Sequence, residues 1–120
     1  MAYSISVKRV YEAPSPTDGY RILVDRLWPR GLSRDHAAFD AWMKEIAPSH
    51  ALRRWFAHDP KKWGEFQERY RAELETDTCA ALIKSILERA KLEDVTLLFA
   101  AKNEKQNNVI VLKHVLDAQR

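Results

Sequence analysis

The stretch Tyr20-Arg21-Ile22-Leu23-Val24, running directly into Asp25-Arg26-Leu27-Trp28-Pro29-Arg30-Gly31, decides the fold. Its first five residues are mostly apolar and β-prone, which predicts a buried strand. The next seven gather one carboxylate, two guanidiniums, a large aromatic, a proline and a glycine. A turn needs only the proline and the glycine. The remaining groups, at the end of a core strand, point to a site for an anionic or planar polar ligand.

Working outward, Ile5 to Val10 opens with the apolar–polar alternation of a half-buried strand. Residues 13–19 carry two prolines and a glycine and predict an irregular loop. Beyond the central motif, Ser33 is placed to cap a short turn through Arg34, Asp35 and His36. The alternation from Phe39 to Ala47 predicts a short strand that Pro48 ends, and Ser49 is an N-cap for a helix reaching Phe56. Asp59 followed by Pro60 marks another helix start. Trp63, Phe66, Tyr70 and Leu74 then define one helical face. Asp77 or Thr78 can cap a further helix that turns Leu82, Ile83, Ile86, Leu87 and Ala90 inward. Val95 to Ala101 reads as a central strand covered on both faces. Val109 to Asp117 fits a helix capped by Asn107 or Asn108. This order predicts an α/β fold: residues 1–120 as one compact three-layer domain, with a small, mostly parallel sheet flanked by helices.

Bulk properties narrow the function. The 120 residues fit one domain, and with 46% hydrophobic a folded chain rather than a disordered one is the default expectation. Residues 1–62 hold eleven basic and seven acidic side chains, residues 63–120 nine and ten, which puts mild positive potential near the central motif. Cys79 is the sole cysteine, so neither an intrachain disulfide nor a cysteine-based metal site is expected. His36, His50 and His114 lack metal-ligand spacing with one another, and the three isolated glycines form no phosphate loop, so no metal and no cofactor is expected. Apolar runs fall well short of the ~20 residues of a membrane span. With no signal-peptide pattern, a cytoplasmic protein with no membrane association is expected.

In open α/β sheets, ligands bind beyond the carboxyl ends of the strands. If the strands run parallel, Arg26, Arg30, Ser49, His50, Lys102 and Asn103 share that end. The candidate ligand-binding set is Asp25, Arg26, Trp28, Arg30, Ser49, His58, Lys102 and Asn103. Each has a plainer alternative. Arg26 either grips an anion in paired hydrogen bonds or holds the turn through Asp25 or backbone carbonyls. Trp28 stacks on a ligand or plugs the core. Asp25 acts as a base, orients an arginine or caps a turn. His58 contacts ligand or only precedes a cap, and Lys102 neutralises a phosphate or is solvated. No catalytic residue is assigned.

With these residues in view, the chain resembles the YeaO-like family, domain of unknown function 488. The resemblance rests on Tyr20 to Gly31, Trp42 to Ser49, Arg54-Trp55-Phe56-Ala57-His58-Asp59-Pro60, and Thr96 through Lys102, and covers nearly the whole chain. It implies a compact cytoplasmic α/β domain and no established reaction. Relatives often carry Asp where this chain has Asn103 and His where it has Gln106, which implies a member able to bind without turnover if those groups are chemical. Some relatives bear a MarR-type regulator label. A winged helix needs a helix-turn-helix and a β-ribbon, and the strand order here fits neither.

Three functions follow. The first is a small-ligand site for an anionic group, a phosphate or carboxylate, serving either binding alone or catalysis. The second is nucleic-acid binding or regulation, motivated by a pI near 9.1 and by Arg26, Trp28, Arg30 and Arg53, Arg54, Trp55 interleaving charge with rings. The third is a protein interaction module using the Trp63–Leu74 face.

Overall fold

The computed structural model describes residues 3–120. Four strands, β1 (Ile5–Arg9), β2 (Tyr20–Leu23), β3 (Ala41–Trp42) and β4 (Val95–Phe99), form one sheet in the order β1-β4-β2-β3. Every pairing is parallel, with Ile5 and Tyr20 flanking Val95 and Ile22 beside Ala41. Four helices form: α1 (His50–Phe56), α2 (Trp63–Leu74), α3 (Asp77–Arg89) and α4 (Asn108–Gln119). Asp59 and Pro60 open a 3₁₀ turn over Pro60–Lys62, so α2 begins three residues beyond the Pro60 start signal. The expected α/β domain with a small parallel sheet is what forms, and it has no antiparallel β-ribbon among the described residues.

Alternation along the strands separates two faces. Ile5, Ile22, Val24, Val95, Leu97 and Phe99 meet side chains from all four helices in the main core. Phe66, Tyr70 and Leu74 are buried there, so most of the face considered for a partner is consumed by folding. The other face carries Val10, Leu23 and Leu98, under Leu32, Phe39 and Trp42. The third layer is thus irregular chain with 3₁₀ turns at Pro16–Asp18 and Arg34–His36. At its far end Lys8 and Arg21 both pair with Asp18, and Thr96 Oγ1 donates to the Asp18 carbonyl at 2.7 Å.

Two local expectations need correction. The strand foreseen over 39–47 shrinks to Ala41–Trp42, because Met43 leaves the extended region (φ −102°, ψ 76°) and Lys44–Ile46 forms a 3₁₀ turn. The cap of α3 is Thr76, not Asp77 or Thr78: its hydroxyl accepts the Cys79 N–H. At α4, Asn107 is the cap, its side chain accepting the Val109 N–H at 2.8 Å. Because all strands are parallel, β1, β2, β3 and β4 end at the same edge of the molecule, where the chemistry-bearing loops emerge.

Candidate functional site

A cleft of about 890 Å³ opens at that edge. It is lined by the segment Asp25–Arg30, by Ala47 and Pro48 after the 3₁₀ turn, by Arg53, Phe56 and His58 at α1 and its end, and by Ala100–Asn103, Asn107 and Asn108 after β4. Seven of the eight candidate residues face it. Ser49 does not: it caps α1 by accepting the Leu52 N–H, and its own hydroxyl and amide are tied to Glu73 at 2.6 and 2.7 Å. His50, also expected at this edge, is exposed and outside the lining.

Asp25 lies at the floor. Its Oδ2 accepts the Ala100 N–H at 2.8 Å and its Oδ1 receives only the Asn108 amide, at 3.4 Å. Burial raises its pKa above the ordinary carboxylate value, opposed by the Ala100 N–H, Asn108 and the charge of Arg53. The folded protein therefore holds this proton more tightly than the unfolded chain. The sign follows directly: as pH falls from 7 towards the ordinary value of 3.8, Asp25 adds to stability. Urea unfolding of the protein and of Asp25→Asn should diverge in that window, with the native sequence gaining relative to the variant as acid is added.

Arg26 turns away from its neighbour. Nε donates to the Pro48 carbonyl at 3.1 Å and Nη2 to the Ala47 carbonyl at 3.0 Å, clamping the end of β2 to the start of α1. Its plainer alternative is the one realised. Hydrogen bonds from a charged donor contribute ~1.5–3 kcal/mol each, with partial overlap. Arg26→Ala should lower unfolding free energy by about 3 kcal/mol in a urea titration.

Trp28 likewise serves the fold. Its indole N–H donates to the Leu32 carbonyl at 2.6 Å, and its ring meets Phe39 and Trp42 at centroid distances of 5.5 and 5.6 Å. Arg30 is exposed, and its carbonyl accepts the Tyr11 hydroxyl at 2.7 Å. Arg9 spans the Ala100 and Ala101 carbonyls and lies over the Tyr11 ring, so the loops after β1, β2 and β4 are braced together. Lys102 is exposed. Asn103 holds its own loop: Oδ1 accepts the Lys105 and Gln106 N–H groups, each at 3.0 Å. An amide performs that task as well as a carboxylate.

His58 occupies an unusual backbone. Ala57 and His58 both have positive φ, 46° and 58°, in succession. Non-glycine residues in that region are uncommon, and strain of this kind concentrates where a surrounding structure fixes it at functional positions.

Arg53, Tyr11 and Asn108 line the cleft although none of them is in the candidate set. Arg53 was findable, since it stands four residues after the Ser49 cap, one turn into a helix that begins at the strand ends. Arg53 is half-buried, and its guanidinium has neither an acceptor nor an ion-pair partner among the described residues. The described residues contain no cluster of three or more His, Cys, Asp or Glu placed to hold a metal. No helix is long and apolar enough to cross a membrane.

Comparison with known proteins agrees with the motif resemblance. The family described as the inactive DUF488-N3 subclade matches residues 4–120. The uncharacterized protein YeaO of Escherichia coli (strain K12) is 45% identical over 109 residues, covering 91% of this chain and 93% of its own. The uncharacterized protein Rv3073c of Mycobacterium tuberculosis (strain ATCC 25618 / H37Rv) is 36% identical over 115 residues, covering 96% and 95%. No solved structure matches. With a family match over nearly its full length and relatives at these identities, the chain belongs to the YeaO-like DUF488 family, within the branch described as its inactive DUF488-N3 subclade.

Proposed function

We propose that the cleft binds a small molecule through an anionic group, a carboxylate or a phosphate, and holds it without turning it over. One observation carries this reading. Arg53 is a half-buried residue that lines the cleft, and its guanidinium has no acceptor among the described residues. Its five donors lie in a rigid fork suited to an oxyanion. Arg30 and Lys102 add positive charge at the rim. Binding without turnover is supported by the family's description as inactive and by the amides at Asn103 and Gln106.

The nucleic-acid reading loses its main support. Stacking on bases needs open ring faces. Arg34 covers Trp28 at 4.7 Å, and Trp55 is flanked by Arg69 at 4.2 Å and Lys62 at 5.2 Å.

A thermal-shift series with inorganic phosphate and small carboxylates tests the proposal. A ligand that binds only the native state adds about 2.7 kcal/mol at a hundredfold excess over its dissociation constant. At least one of these anions should raise the melting temperature by several degrees, and Arg53→Ala should abolish the shift. A native protein indifferent to all of them contradicts it.

A further inference from the structure

We infer that the ligand is amphoteric: a free amino acid, with its carboxylate on Arg53 and its ammonium on a pair of oxygens at the floor of the cleft. This rests on the anion-binding reading above and narrows it to a substrate class.

The cleft separates its charges. Asp25 follows β2 and stands next to Arg26 in sequence, yet it makes no ion pair among the described residues. Arg26 spends its guanidinium on the Ala47 and Pro48 carbonyls instead. Asp25 Oδ1 meets only the distant Asn108 amide at 3.4 Å, so most of its accepting capacity is unused. Asn108 directs its NH₂ to Asp25 and to the Val24 carbonyl at 3.3 Å. Its own carbonyl oxygen has no partner among the described residues. No side-chain polar atom among them is both buried and unpartnered, so this oxygen is open to solvent, on a residue that lines the cleft.

The floor therefore presents two acceptors: a carboxylate oxygen whose sole donor among the described residues is the Asn108 amide at 3.4 Å, and an Asn108 amide oxygen with no donor among them. The half-buried Arg53 presents donors with no acceptor. A ligand bearing only negative charge satisfies Arg53 and is repelled by Asp25. A ligand with an ammonium group beside its carboxylate satisfies both. Phe56, Pro48 and Leu27 offer apolar surface for its side chain. A site built around a hydrogen-bonding group rejects the analogue that lacks it far more strongly than an apolar pocket rejects a missing methylene.

The experiment compares matched pairs by thermal shift and calorimetry on the full chain: each standard amino acid against the acid that lacks its amino group (aspartate against succinate, alanine against propionate), with inorganic phosphate alongside. At least one amino acid should bind at least tenfold tighter than its partner. In Asp25→Asn, whose side-chain oxygen still accepts the Ala100 N–H, that ratio should fall below threefold, while Arg53→Ala should lose both members of the pair. Asn108→Ala supplies a second variant, with a smaller reduction of the same ratio. Equal binding of amino acid and deaminated acid, or binding of phosphate alone, overturns this inference and leaves the anion site standing. Binding of none of the probes overturns both.

Discussion

Replacing Gly19 by alanine should destabilise the protein by about 4 kcal/mol, enough to leave a marginal domain partly unfolded. Two costs combine. Gly19 has φ 66° and ψ −133°, a backbone region almost reserved for glycine, worth ~1–3 kcal/mol to any other residue. An added Cβ would also fall inside contact distance of the Asp94 carbonyl oxygen and 2.7 Å from its carbon. That carbonyl cannot yield, because it accepts the Tyr20 N–H at 2.8 Å where β2 begins. The Asp94 carboxylate meanwhile binds the Ser4 N–H and hydroxyl ahead of β1. The clash adds about 1–3 kcal/mol of overpacking. Gly31 is the internal control. Its φ is 78°, but an added Cβ meets nothing within 4 Å, so Gly31→Ala should cost only about 1 kcal/mol. Equal effects at the two positions in denaturant unfolding would contradict the packing of Gly19 against Asp94.

Asp18→Ala should be comparably severe, at about 3–5 kcal/mol, because it leaves a buried guanidinium without its counter-charge. Arg21 is 7% exposed on the loop-covered face of the sheet and reaches Asp18 and the Ala38 carbonyl. Lys8 approaches the same carboxylate at 3.1 Å, and the Ser15 N–H at 3.0 Å. Burial works to raise the Asp18 pKa, but the Ser15 amide, Lys8 and Arg21 together outweigh it and hold the value below normal. The sign is opposite to that at Asp25. The Asp18 contribution is complete above the ordinary value of 3.8 and is lost as pH falls below it through the depressed value. The variant should therefore lie far below the native protein at pH 7 and approach it in strong acid.

Much of the architecture was legible in the sequence for physical reasons that can be named. Ile22 to Val24 are wholly apolar, and Val95 to Phe99 apolar apart from Thr96, the mark of strands buried in a parallel sheet. Ser49, Asp59 and Asn107 announced their turns and helices by side chains that accept backbone N–H groups. Periodicity could not show the length of β3, since register there is set by the departure of Met43 from extended geometry. Nor could it show that loops rather than α-helices would cover Leu23 and Leu98.

The candidate site was legible in location more than in membership. The dense run from Asp25 to Arg30 lies at the cleft, as a loop after a core strand should. Which arginine is available was hidden. Arg26 and Arg53 differ only in that backbone carbonyls of Ala47 and Pro48 come within reach of the first, a fact of tertiary packing. Asn108 was hidden in the same way: a helix-start amide acquires meaning only beside Asp25, distant in sequence.

The cleft between the ends of β2 and β4 and the first turns of α1 is proposed to receive an anionic small molecule. Amide chemical-shift mapping of the isotope-labelled chain tests it most directly, titrating inorganic phosphate and then whichever carboxylate gives the largest thermal shift. Perturbations should saturate together and concentrate at Asp25–Gly31, Arg53, His58 and Ala100–Asn108. A saturable response centred elsewhere, such as the groove where Arg71 and Ile83 meet Val115, or no saturable response at all, would contradict it.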